Sequence, residues 1–290
     1  MKYLIKLICL LVLVNFDALS QKRPDKEEWI QLFNGNDLTG WDIKITGHEL
    51  NDNFANTFRI EDGMLKVSYD GYEQFNNKFG HIYYKQSFSY YKLRVEYRFV
   101  GQQIKGGPPW NERNSGMMLH SQSAQSVAKD QGFPVSLEFQ FLGGLGKGPR
   151  STCNLCTPGT YVEMNGKVDM THCINSSSKT YDGDQWVRAE AVVLGDSVIY
   201  HLVEGDTVLV YQNPKIGEED PQMKAYLLPG DWSKKAGTPL KEGYIALQAE
   251  SHPVHFRAVE LLNLKGCMNP KCLKYKSYYV AQGECECQKR

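Results

Sequence analysis

Residues 91–99 (YKLRVEYRF) alternate ring or aliphatic side chains with charged ones, without a break. Successive side chains of an extended chain point to opposite faces, so as a strand this stretch has one dry face and one wet face. A helix would scatter the same residues around its circumference. The pattern therefore demands a sheet with one face on a core and the other in water, which is the antiparallel situation. The rest of the chain repeats the demand. Residues 58–60 and 64–67 flank Glu61-Asp62-Gly63, and residues 197–203 and 207–211 flank Glu204-Gly205-Asp206. Both read as hairpins closed by short Gly-containing turns. Further strands are expected at 186–193, 243–249 and 254–264, and helical periodicity is nearly absent. Many strands without intervening helices predict an all-β sandwich or barrel.

Residues 1–20 stand apart. Lys2 and Lys6 precede the apolar run 7–14 (LICLLVLV), and Ala18-Leu19-Ser20 reads as a small-x-small cleavage site. The run is too short to span a bilayer, so the expectation is a signal peptide and export to the periplasm or beyond the cell. The full chain balances 33 Lys+Arg against 33 Asp+Glu. Neither nucleic acid nor anionic membrane is an expected partner of such a surface. The remaining chain divides into one domain at 29–264 and a Cys-rich tail at 265–290. Long loops fall at 101–113, 143–158 and 212–242, and loops of that length are commonly functional.

Candidate site residues are those that break the strand pattern. In Leu137-Glu138-Phe139-Gln140-Phe141, the apolar residues share one face, and Glu138 and Gln140 share the other. A carboxylate among such neighbours is placed on a central strand, as a base or a metal ligand at the floor of a groove. Asn114-Ser115-Gly116-Met117-Met118-Leu119-His120 forms a second such strand, with alternation placing His120 on the face of Met118. His120 is thus the expected partner of Glu138 if the two strands pair. Gln248 and Glu250, followed by Arg257 across a turn, form a second polar group at a strand end. Trp110 and Trp232 lie on long loops, where an indole can stack on a sugar ring or anchor the loop, and Arg113 is close to Trp110.

Removing residues 1–20 leaves seven of the eight cysteines. Cys153, Cys156 and Cys173, with His172, could bridge or could hold zinc; export favours a bridge within the trio. Cys267, Cys272, Cys285 and Cys287 allow two bridges in three pairings, and one cysteine is left over.

Residues 32–41 (LFNGNDLTGW) resemble the opening signature of the 3-keto-disaccharide hydrolase family. Asn114-Ser115-Gly116, Leu137-Glu138-Phe139-Gln140, Gly183-Asp184-Gln185-Trp186 and Gly243 to Gln248 with Phe256-Arg257 follow its later landmarks in order. The resemblance implies a concanavalin/laminarinase-like jelly-roll sandwich of two curved antiparallel sheets. It also implies cleavage of glycosides already oxidised at C3. A 3-keto group acidifies the C2 proton, a base removes it, the C1 substituent leaves by β-elimination, and water re-adds. The expected roles are Glu138 and His120 in catalysis, with Arg113, Asn114, Gln140, Gln248, Glu250, Arg257, Trp110 and Trp232 binding the saccharide. No cofactor is required by this chemistry, although a divalent ion held by Glu138 and His120 could serve as Lewis acid. A two-carboxylate glycosidase is the less expected enzyme, because the Glu138 strand carries no second acid two or four residues on. The rival class is a non-catalytic, lectin-like carbohydrate-binding module on the same fold.

Overall fold

The computed structural model describes residues 25–219, 223–228 and 230–287. The expected signal peptide lies outside the described residues. Among the described residues, regular structure consists of strands and four one-turn 3-10 helices.

The strand at the head of the sequence reading, Tyr90–Phe99, forms with strictly alternating burial. Its dry face carries Tyr91, Leu93, Val95, Tyr97 and Phe99, all at 2 % exposure or less. It lies at the middle of a large sheet, between Val187–Leu194 and Val254–Asn263. On one side the sheet continues through Val198–Val203, Asp206–Ile216, Thr160–Met164 and Lys167–Asp169. On the other side Val254–Asn263 pairs with Met64–Val67, then Phe58–Glu61, and also with the short Ile30–Gln31. The two expected hairpins turn at Asp62-Gly63 and Glu204-Gly205, where all four residues have positive φ. That backbone matches the strand twist and explains the glycines.

The second sheet runs Cys173–Ile174, Asn154–Cys156, Leu137–Leu142, Asn114–Ser121, Tyr244–Ala249, Gly80–Tyr84 and Trp41–Ile45. Its registers align Ile43, Ile82, Leu247, Met117, Phe139 and Leu155 in one row across six strands. This row faces the large sheet, and all its members belong to a single apolar core. Burying a row of this kind is the main stabilising term, at about 1.5–3 kcal/mol per large side chain. The fold is therefore an all-β sandwich of the jelly-roll class, with two large antiparallel sheets.

The tail is held separately. Lys265–Gly266 pairs in parallel with Ala281–Gln282, and disulfides join Cys267 to Cys285 and Cys272 to Cys287. It also grips the start of the described chain. Asp25 N–H donates to Ser277 Oγ at 2.9 Å, Ser277 N–H donates to Asp25 Oδ2 at 2.7 Å, and Lys276 pairs with Glu28. The third disulfide, Cys156–Cys173, is the bridge expected within the 153/156/173 trio. Cys153 is the odd thiol, fully buried in the core, where burial pushes its pKa well up.

Candidate functional site

The site lies on the outer face of the seven-stranded sheet, the face turned away from the core. Two adjacent rows build it. The first runs Asp42, Tyr83, Ala246, Met118, Glu138, Cys156. The second holds Lys44, His81 and Gln248 on one side, and Gly116, Gln140 and Asn154 on the other. Continuing the register of the two middle strands sets Gly116 opposite Gln248 and Asn114 opposite Glu250. Glu138 and Gln248 come from strands that are not neighbours; the strand of Gly116 lies between them. Gly116 has no side chain, and a Cβ there would stand 3.0 Å from Glu138 Oε1 and 3.1 Å from Glu138 Cγ. The glycine leaves the gap over which the two side chains meet.

The Gln248 amide, with its nitrogen turned toward the acids, donates to Glu138 Oε1 at 3.2 Å and to Glu250 Oε2 at 3.1 Å. One buried amide thus joins two buried carboxyls, which are 6 % and 2 % exposed. Glu250 is set just beyond its strand by Ser251, whose φ is +75° and whose N–H donates to the Tyr69 hydroxyl at 2.7 Å. Burial pushes the Glu138 carboxyl up to about 8. Glu250 is also raised, first by burial and then by the charge of Glu138, with Arg150 pulling the other way. Two close buried carboxyls cannot both ionise cheaply, so the pair retains a proton around neutral pH.

A cavity of about 640 Å³ opens over this pair. Its walls include Glu138, Gln140, Asn114 and Glu250, with Arg150, His172, the Cys156–Cys173 bridge, Trp110, Phe133, Met223 and Tyr226. Gln140 Oε1 accepts from Asn154 Nδ2 at 3.1 Å, which fixes its amide. Asn114 Oδ1 is buried and receives no donor among the described residues. Trp110, 47 % exposed, stacks parallel to Phe79 at 6.3 Å and edge-on to Tyr226 at 6.4 Å. One side of the cavity is therefore polar and acidic, and the other is aromatic.

The structure brings together Glu138, Gln140, Asn114, Gln248, Glu250 and Trp110. It separates four of the other expected residues from them. His120 sits in a bulge, where Leu119 and His120 oppose the single Ile245, and its φ of +48° turns it off the alternation. Its Nε2 instead meets Gly195 O at 3.0 Å, and its ring packs on Tyr91 of the core. Burial lowers its pKa to about 4, so it is neutral. The expected Glu138–His120 pairing does not form. Arg257 lies on the other sheet, paired with Glu96 and laid over Trp186 at 4.4 Å. Arg113 is turned to Asp184 at 3.2 Å and to the Gly183 carbonyl. Trp232 packs against the core with its Nε1 donating to Leu228 O at 3.0 Å, the anchoring role of a loop indole.

Sequence reasoning missed Arg150, one of two basic residues in the Gly-rich loop 143–150, with nothing to mark it. Its Nη1 donates to Gly143 O at 2.6 Å, which holds the guanidinium at the cavity wall. It also overlooked that a second acid can arrive from another strand; Glu250 does so. Among the described residues, the only cluster of three or more His, Cys, Asp or Glu groups close enough to share an ion is the four tail cysteines. Their sulfurs lie within 4.8 Å of one another and are joined as two disulfides. No helix among the described residues is long and apolar enough to cross a membrane.

Three solved structures illustrate the similarity, all at low identity. A protein of Parabacteroides distasonis, provisionally named a glycosyl hydrolase, is 19 % identical, with 81 % of this chain and 94 % of that one aligned at a TM-score of 0.47. A Bacillus subtilis protein of unknown function with a galectin-like fold is 12 % identical, with 82 % and 97 % aligned at 0.48. A Bacillus licheniformis β-glucanase is 14 % identical, with 83 % and 100 % aligned at 0.41. None of the curated proteins matches the chain closely enough to count. The family comparison is decisive where these are not: the 3-keto-alpha-glucoside-1,2-lyase-like domain matches residues 28–262, and the chain belongs to that family.

Proposed function

We propose that this is an exported hydrolase of 3-keto-glycosides, in which Glu138 removes the C2 proton, the C1 substituent leaves by β-elimination, and water adds to the enone. The observation that carries this reading is the buried Glu138 carboxyl, raised to about 8 at the floor of the cavity. Removing a proton from carbon needs a base stronger than an ordinary carboxylate, and desolvation supplies one. The reaction places negative charge on the C3 oxygen, which needs a donor rather than a second nucleophile. A protonated Glu250 and Arg150 are the donors available there. The Asn114 oxygen without a donor suits a sugar hydroxyl, and Trp110 offers a face to the ring.

The two carboxyls invite comparison with ordinary glycosidases. There, one acid and one ionised carboxylate act on opposite sides of the glycosidic bond. Here a single amide ties the two acids together, which suits one shared proton better than two separate duties.

The test is turnover of a 3-keto-glucoside against the unoxidised glucoside, with and without chelator. The expected result is cleavage of the oxidised substrate alone, lost by about 10²- to 10⁴-fold in Glu138→Gln with binding retained. Glycan binding without turnover by the wild-type protein would establish the lectin-like reading instead.

A further inference from the structure

Elimination needs a proton for the leaving oxygen, and His120, the histidine expected beside Glu138, is not at the cavity. Another histidine is. His172 stands on the cavity wall that also carries Glu138. Its neighbour Cys173 is bonded to Cys156, and Cys156 is the register partner of Glu138 on the adjacent strand. Its carbonyl accepts from Thr157 N–H at 2.8 Å and from the Thr157 hydroxyl at 3.2 Å. A covalent bridge and two hydrogen bonds thus hold this one loop residue at a fixed place relative to the base. His172 itself is half-buried. The other ionisable groups on the wall are Glu138, Glu250, Arg150 and Tyr226. Glu138 is occupied by the C2 proton, Glu250 is joined to it through Gln248, an arginine does not give up its proton, and Tyr226 is packed among Phe79, Trp110 and Phe133 on the aromatic side.

We propose that His172 is the general acid that protonates the leaving C1 oxygen, a role that rests on the elimination reading above. In the first half-reaction the C2–H bond breaks and its proton passes to Glu138. The electron pair forms the C1–C2 double bond, and the C1–O bond breaks. The departing oxygen takes a proton from the His172 imidazolium and leaves as an alcohol. In the second half-reaction neutral His172 takes a proton from water, and the hydroxide adds to C1. Glu138 then returns its proton to C2. Both side chains end as they began, and the balance is one glycosidic bond against one water. The Cys156–Cys173 bridge is the device that sets the acid at its distance from the base.

The assignment makes the requirement for His172 depend on the leaving group. With an alkyl 3-keto-glucoside, His172→Gln should lower kcat by about 10²-fold or more with KM little changed. With a nitrophenyl 3-keto-glucoside, whose aglycone leaves as a stable anion, the same variant should release nitrophenolate in the first turnover within about threefold of the wild-type rate, since only the later hydration needs His172 there. That retained activity also shows that the variant folds. Equal loss on both substrates overturns the acid role and leaves His172 a structural residue. Wild-type protein treated with diethyl pyrocarbonate serves as a second measurement that needs no variant. Modification mapped to His172 by mass spectrometry should abolish alkyl cleavage but not the first-turnover release of nitrophenolate; loss of neither, or equal loss of both, overturns the proposal. A wild-type protein that cleaves neither substrate overturns the elimination reading, and the acid role falls with it.

Discussion

Glu138 and Glu250 differ in what they see. Burial alone raises Glu138, whereas Glu250 is raised by burial and by the charge that Glu138 acquires. Glu138 therefore ionises first, and Glu250 keeps its proton through that step. Glu250→Gln replaces the protonated acid by a near-isostere. It should keep turnover within about tenfold, with the acidic limb of kcat/KM still near 8, whereas Glu138→Gln loses about 10²- to 10⁴-fold. A pH–rate profile on the Glu250 variant checks this; a loss of turnover as large as that of Glu138→Gln would show that Glu250 is the base. At this scale the sequence said a good deal. Period-two alternation alone placed Glu138 with Gln140, and Gln248 with Glu250, on polar faces. It could not show that Arg150 and His172 would close over them, because loop residues carry no period. It misplaced His120 because one extra residue in a strand reverses every later side chain.

Between elements, the decisive position is Gly116. The strand that carries it separates the base from the Gln248 amide, and only a missing side chain lets them touch. Gly116→Ala puts a methyl 3.0 Å from Glu138 Oε1 and 3.1 Å from the Phe139 carbonyl. The carboxyl must move while the core row beneath, Met117 and Phe139, stays in place. The expected outcome is a loss of turnover of about 10-fold or more with a melting temperature changed by only a few degrees. Unchanged turnover, measured beside a thermal melt, would show that the amide bridge is dispensable. Strand pairing itself was readable from hairpin turns such as Asp62-Gly63, whose partners are near in sequence. The juxtaposition of residues 116, 138 and 248 was not readable, since it depends on which distant strands become neighbours, and alternation is silent on that.

The whole molecule carries its buried ionisable groups in two opposing sets. His81, His120, His201, His252 and His255 are held neutral, first by burial, at about 3, 4, 3, 4 and 4 against an ordinary 6.5. The unfolded chain binds more protons than the folded one below 6.5, so their contribution is lost as pH falls through that window. Glu138 and Glu250 are shifted the other way, and the folded chain binds more protons above 4.5. Their contribution is lost as pH rises from 4.5 towards 8. Between 4.5 and 6.5 five histidines oppose two acids and stability rises with pH; above 6.5 only the acids remain and it falls. Thermal melts across a pH series should peak near 6.5, and Glu138→Gln should flatten the alkaline side. A wild-type melting temperature that climbs steadily to pH 9 would contradict this balance.

The clasp between residues 25–31 and the tail has a consequence for how the protein can be held. Ile30–Gln31 adds to the large sheet, and Asp25 and Glu28 are tied to Ser277 and Lys276. Both ends of the described chain therefore gather around the sheet that does not carry the cavity. Attached to a surface or to another protein through either end, the domain would be gripped from behind, with its opening turned outward to whatever saccharide drifts past.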